Sequence, residues 1–259
     1  MGNPDNTKTP TTIMMTRPVH ISADDLLYQM QVTKSDLADS ALVSGQEHRV
    51  KMSLELLENA KENFSAFGYT FWTGTYKGKR ITVGNGGLYA PDTALVTELL
   101  CAGGVNLLVR LGSCGALRQD VQIGDVVIAD SVVRGDGVTG YYVPRDFVPT
   151  ATKEISDCLF TCLSSSMKVH RGMIWTTDAL LKETPQVVNP IIKKGAIAVD
   201  MVTSPFFTIA SMYDRKHAAC LAVSDNLITG EMGFGSPALF AVEQRMIATV
   251  FEMMLSLQE

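Results

Sequence analysis

Long hydrophobic runs are missing from this chain, and with them the case for a membrane-spanning helix, which needs roughly 20 consecutive apolar residues. The first residues lack the apolar core of a secretion signal, so a cytoplasmic location is expected. An excess of positive charge is also missing. Against 22 Lys and Arg stand 27 Asp and Glu, a formal net charge of −5, which argues against a nucleic-acid partner. Cysteine is sparse and odd in number, at positions 101, 114, 158, 162 and 220. Several of these lie in apolar runs, which points to buried, reduced thiols rather than a disulfide framework. Cys158 and Cys162 are one helical turn apart, but only His170 lies near them, so the ligand spacing of a zinc site is lacking and no metal is expected. Internal repeats and domain linkers are absent too. Residues 1–17 are polar, rich in Thr, Asn and Pro, and read as a flexible leader.

What remains is ample core material. Hydrophobic residues make up 46% of 259, which suits one large α/β domain over residues 18–259. Ala41-Leu42-Val43 reads as a buried strand, Ser44-Gly45 as a turn, and Val50, Leu54 and Leu57 recur at helical spacing. Residues 70–76 and 80–83 flank Lys77-Gly78-Lys79 as a hairpin. A glycine-rich turn at 84–87 precedes a helix over 92–102, with Asp92 as its cap. Strands are expected at 106–109, 126–130, 196–199 and 218–223. Helices are expected at 152–168, 187–194, 203–213 and 236–257. Alternating strands and helices imply a three-layer α/β/α domain around a central mixed, mostly parallel sheet.

In such a fold, ligands gather at the carboxyl ends of the parallel strands. Four strand ends carry suitable groups: Gly45 with Arg49, the 84–87 turn, Arg110 with Ser113, and Ser224 with Asp225. The stretch Val109-Arg110-Leu111-Gly112-Ser113-Cys114-Gly115 reads as an arginine leaving a buried strand into a turn of small residues. Two arginines beside glycine turns suit an oxyanion such as phosphate. Asp225 follows the apolar Ala222-Val223, where a partly buried carboxylate can act as a general acid.

Taken in order, these stretches resemble the nucleoside phosphorylases that include hexameric purine nucleoside phosphorylases and uridine phosphorylases. The likeness runs from about Pro18 to the C-terminus. It is carried by Pro18-Val19-His20-Ile21, Ser44-Gly45 with Arg49, Thr73 to Gly78, Arg110 to Ala116, Val199-Asp200-Met201 and Val223 to Leu227. Arg134-Gly135-Asp136-Gly137 and Tyr142-Val143-Pro144 are similar to the uridine phosphorylase branch. The resemblance implies a pentosyltransferase that converts a nucleoside and inorganic phosphate to free base and (deoxy)ribose 1-phosphate, with no cofactor beyond phosphate as co-substrate. It implies phosphate binding by Gly45, Arg49, Arg110 and Ser113, and ribose binding by Met201 and by His20 of a neighbouring subunit. It places Ser224, Asp225, Cys114 and Gly115 at the base, with Asp225 and Arg110 catalytic, and it implies a homodimer or a homohexamer built as a trimer of dimers.

The chain departs from that pattern in places. Val202 replaces a glutamate that accepts bonds from the ribose hydroxyls, an interaction typically worth about 1.5–3 kcal/mol. Asn85 and Leu88 alter the 84–88 turn. Phe67 falls where a third phosphate arginine is usual, and Leu180, Thr184 and Gln186 stand where a base stacker and uracil readers are usual. Two alternatives therefore stand beside the phosphorylase: a relative that hydrolyses nucleosides with water, and a non-catalytic nucleoside-binding or storage protein on the same fold.

Overall fold

The structure, a computed structural model, describes residues 18–258, so the expected leader lies outside the described residues. Along the chain run α1 (Ala23–Gln29), β1 (Ser40–Ser44), α2 (Glu47–Leu54), β2 (Glu58–Ala66), β3 (Tyr69–Tyr76), β4 (Lys79–Asn85), α3 (Ala90–Ala102), β5 (Leu107–Ala116) and β6 (Val126–Gly135). Then follow α4 (Lys153–Ser164), β7 (Val169–Thr177), α5 (Pro185–Lys193), β8 (Ala198–Asp200), α6 (Thr203–Met212), β9 (Lys216–Asn226) and α7 (Pro237–Ser256). No helix among the described residues is long and apolar enough to cross a membrane.

The strands form one mixed sheet in the order β2-β3-β4-β1-β5-β8-β7-β6-β9. Parallel pairs join β1 to β4 and β5, β5 to β9, and β7 to β6 and β8. The far end closes on itself, because β9 also pairs with β5 from Leu107↔Lys216 to Ala116↔Asn226. Five strands thus form a small barrel that alternation of strands and helices did not announce.

Period-two alternation in β9 explains the layers. Ala219, Leu221 and Val223 enter a core with Val96 and Leu99 of α3 and with Phe206 and Phe207 of α6. Ala218, Cys220 and Ala222 enter the opposite core with Leu159 of α4 and Met246 and Val250 of α7. Both faces are covered, as buried parallel strands require. A smaller cluster joins Val188 of α5 to Leu117, Trp175 and Val199.

Three sequence expectations need correction. The stretch after Arg110 is not a turn: β5 continues to Ala116, paired with β9 throughout. Its small residues leave room for neighbours instead, since a Cβ on Gly112 would lie 2.7 Å from Leu221. Asp92 is not the residue before α3 but sits inside its first turn, accepting from the backbone N–H of Tyr89 (2.8 Å) and Leu88 (3.1 Å). Two strands, β2 and β7, went unexpected.

Candidate active site

One cavity collects the strand ends. It is lined by Gly45, Gln46 and Arg49 from the β1–α2 junction and by Arg110, Ser113, Cys114 and Gly115 from β5. Asp200, Met201 and Val202 come from the β8–α6 junction, and Ser224 and Asp225 from β9. Every binding or catalytic residue implied by the resemblance lines it except His20, which lies exposed before α1, and of the 84–88 turn only Leu88 does. Phe67 does not line it either. It occupies the left-handed region (φ 55°) at the exposed tip of the β2–β3 hairpin.

The cationic end is built first. Arg49 lies in the first turn of α2 and is buried. Its Nε donates to Oε1 of Glu243 (2.8 Å) and its Nη1 to Ser44 Oγ (3.2 Å). The second carboxylate oxygen of Glu243 meets His48 Nε2 at 2.7 Å. Arg110 stands at the next position of the Leu108 face and is also buried. Its Nε has no hydrogen-bond partner, and its Nη atoms only graze the carbonyls of Gly86 (3.5 Å) and Gly87 (3.4 Å). Burial, opposed by Asp200 and reinforced by the like charge of Arg49, lowers the Arg110 guanidinium to about 10. Two guanidinium groups thus converge, and among the described residues no carboxylate is bonded to Arg110. Unpaired buried charge of this kind is costly unless an anion joins it.

Glycine at position 45 permits the convergence. A Cβ there would lie 2.4 Å from the Gly87 carbonyl oxygen. The 84–88 turn packs directly on the end of β1, held by the Gly86 N–H donating to the Ser44 carbonyl (2.9 Å).

The opposite end is acidic. The β5–β9 register slips between Cys114 and Gly115, so Ser224 is the extra residue of a bulge, a common device for re-aiming a side chain. The bulge brings Asp225 over Gly115, where a Cβ would stand 2.8 Å from its Oδ2. Ser224 Oγ lies 2.8 Å from Asp225 Oδ1, yet burial raises the Asp225 carboxyl above its usual range. Glu183, just before α5, lines the same cavity and is pushed up to about 7, by burial first and then by the charge of Asp225. Burial also pushes the Cys114 thiol well up, which keeps it neutral.

Between the two ends lie Met201 and Val202. Asp200 beside them is buried, and its carboxylate already accepts from Thr176 Oγ1, Thr203 Oγ1 and the Thr203 N–H. It anchors α6 on β7. An outer cleft continues past Asp225 between Leu180, Leu181, Thr184, Leu227, Met232 and Phe234.

A family model described as the phosphorylase superfamily matches residues 39–248. The chain belongs to the phosphorylase superfamily. A purine nucleoside phosphorylase of DeoD type from Caldanaerobacter subterraneus subsp. tengcongensis is 34% identical over 202 residues, which cover 76% of this chain and 87% of that protein. One from Bacillus cereus is 32% identical over 206 residues, covering 78% and 88%. Among solved structures, a uridine phosphorylase from Vibrio fischeri ES114 superposes with a TM-score of 0.80 at 25% identity, over 87% of this chain and 95% of that one. The nucleoside phosphorylase class read from the sequence is therefore the class of this superfamily member's named relatives.

The sequence reading missed Gln46, Glu183 and Phe234, which line the cavity, and Glu243, which holds Arg49 from behind. Glu243 is 194 positions from the arginine it holds. Glu183 and Phe234 lie in connecting segments, where no hydrophobic period marks a site residue.

Proposed function

We propose that this chain is an active nucleoside phosphorylase that uses inorganic phosphate to cleave purine nucleosides. The observation that carries the reading is the pair of buried arginines, Arg49 and Arg110, with the Arg110 Nε unpartnered at the cavity. Phosphate offers the divalent, multiply accepting oxygens that such a pair calls for. Gly45 and Ser113 complete that end. Phosphate held there attacks C1′ of the sugar as the glycosidic bond lengthens, and positioning plus charge stabilisation supply most of the rate. Met201 packs under the ribose. At the far end Asp225, with its carboxyl raised by burial, donates a proton to the departing base. No step calls for a metal or a further cofactor. The purine preference rests on Asp225, on the lack of uracil-reading side chains at Thr184 and Gln186, and on the names of the curated relatives. The cytoplasmic reading rests on its five free cysteines.

The test is base release from a panel of ribo- and deoxyribonucleosides with and without phosphate. Release from purine nucleosides is expected only with phosphate. Release without it would replace phosphorolysis by hydrolysis, and no release from any nucleoside would leave a binding protein.

His20 is exposed and does not line this cavity in its own protomer, which suits a residue lent to a neighbour. We therefore propose an assembly at least dimeric, homodimer or homohexamer. Sedimentation equilibrium is expected to give a mass of two chains or more; a monomer at assay concentration would remove His20 from the site.

A further inference from the structure

At the base end, Asp225 and Glu183 face one cavity from different elements and share the wall of the outer cleft. Among the described residues neither is paired with a cation. The Asp225 carboxylate accepts from Ser224 Oγ alone, and the Glu183 carboxylate meets no hydrogen-bond partner, among the described residues. The other charges nearby do not change this. Glu231 lies farther out in the cleft, Asp200 is bonded to Thr176 and Thr203, and Arg49 and Arg110 occupy the phosphate end. Lys182 on the same segment is exposed.

We propose that Glu183 and Asp225 read the purine edge together, one donating to N7 while the other accepts from the 6-substituent, so that the site selects 6-aminopurine nucleosides over 6-oxopurine nucleosides. This rests on the phosphorylase reading above. Both carboxyls are raised by burial, and the charge of Asp225 adds to the rise at Glu183, pushed up to about 7, so the pair favours holding one proton as neutral pH is approached. The pair then offers one donor and one acceptor. Adenine presents the matching pattern, N7 as acceptor and the 6-amino group as donor. Guanine and hypoxanthine present two acceptors, N7 and O6, and O6 would face a carboxylate.

The pair also balances the reaction. The C1′–N9 electron pair passes to the base as a phosphate oxygen bonds C1′. The shared proton moves to N7, the base leaves neutral, and solvent restores the proton. Above pH about 7 the pair loses that proton, so adenosine cleavage is expected to fall. At lower pH both carboxyls are protonated, a second donor becomes available to O6, and the preference narrows.

The experiment compares kcat/KM for adenosine and inosine at saturating phosphate. At pH 7 the wild-type chain is expected to favour adenosine by roughly ten- to hundredfold, the size of one mispaired buried polar group. Glu183→Gln supplies an amide N–H for O6 and is expected to bring the two substrates within about threefold, a shift set by which group faces O6. Equal use of both nucleosides by the wild-type chain, or an unchanged ratio in Glu183→Gln, would overturn the proposal. If phosphate releases no base from any nucleoside, the phosphorylase reading has failed instead. The base-reading pair is then judged by equilibrium dialysis of free adenine and hypoxanthine against the wild-type chain. Tighter adenine supports it and equal binding overturns it.

Discussion

Replacing Arg110 with alanine is expected to lower phosphate-dependent kcat/KM by about 10²–10³, the loss seen when one preorganised charge-stabilising donor is removed from an active site. The guanidinium is buried, its Nε has no partner, and its only hydrogen bonds among the described residues are two long ones to the carbonyls of Gly86 and Gly87. Burial lowers its pKa to about 10, still far above neutrality, so the charge persists where it is poorly solvated. That arrangement is unfavourable in the free protein and becomes favourable when an anion arrives. Arg110→Ala is therefore expected to leave the thermal midpoint unchanged or raise it while phosphate binding collapses, the trade expected of a functional charge. Arg110→Lys keeps the charge but not the planar fork, and should fall between the two. The check is a phosphate titration of nucleoside cleavage together with a thermal melt. A phosphate KM within threefold of wild type in Arg110→Ala would remove Arg110 from the site.

Why Arg110 was legible and its helpers were not has a physical answer. Arginine at the end of an apolar run is conspicuous because burying it costs so much, and the same contrast marked Asp225 after Ala222-Val223. The continuation of β5 to Ala116 was hidden because Gly112, Ser113 and Gly115 resemble a turn. Only the tertiary partners show that they are small for packing, as Leu221 and Asp225 crowd them. β2 was hidden for the opposite reason. It is an edge strand with Phe64 as the one buried apolar side chain among its described residues and irregular pairing to β3, so no alternation survives. The barrel depends on β9 pairing on both sides, with β5 and with β6, which no local pattern encodes. Glu183 and Glu243 are ordinary surface residue types. Their importance comes from burial that depends on distant segments.

Glu243 is where that dependence has its largest expected effect on stability. Its carboxylate is buried and accepts from Arg49 Nε at 2.8 Å, while its other oxygen meets His48 Nε2 at 2.7 Å. By fixing Nε toward α7, it leaves the outer nitrogens of Arg49 to serve Ser44 and the cavity. Glu243→Ala strands Arg49 as a buried charge beside Arg110. Breaking a buried ion pair from one side is worth about 3–5 kcal/mol, which in a chain of this size lowers the thermal midpoint by roughly 6–20 °C. Glu243→Gln keeps the shape and one acceptor and should lose less. Because both arginines are then short of negative charge, millimolar phosphate is expected to stabilise Glu243→Ala more than wild type, by ligand linkage to the folded state. Chemical denaturation of the wild-type chain and both variants, with and without phosphate, measures this. A loss under about 1 kcal/mol would show that Arg49 holds its place without α7. An equal phosphate effect on wild type and Glu243→Ala would separate the arginine clamp from anion binding, leaving Glu243 as a packing residue of the fold alone.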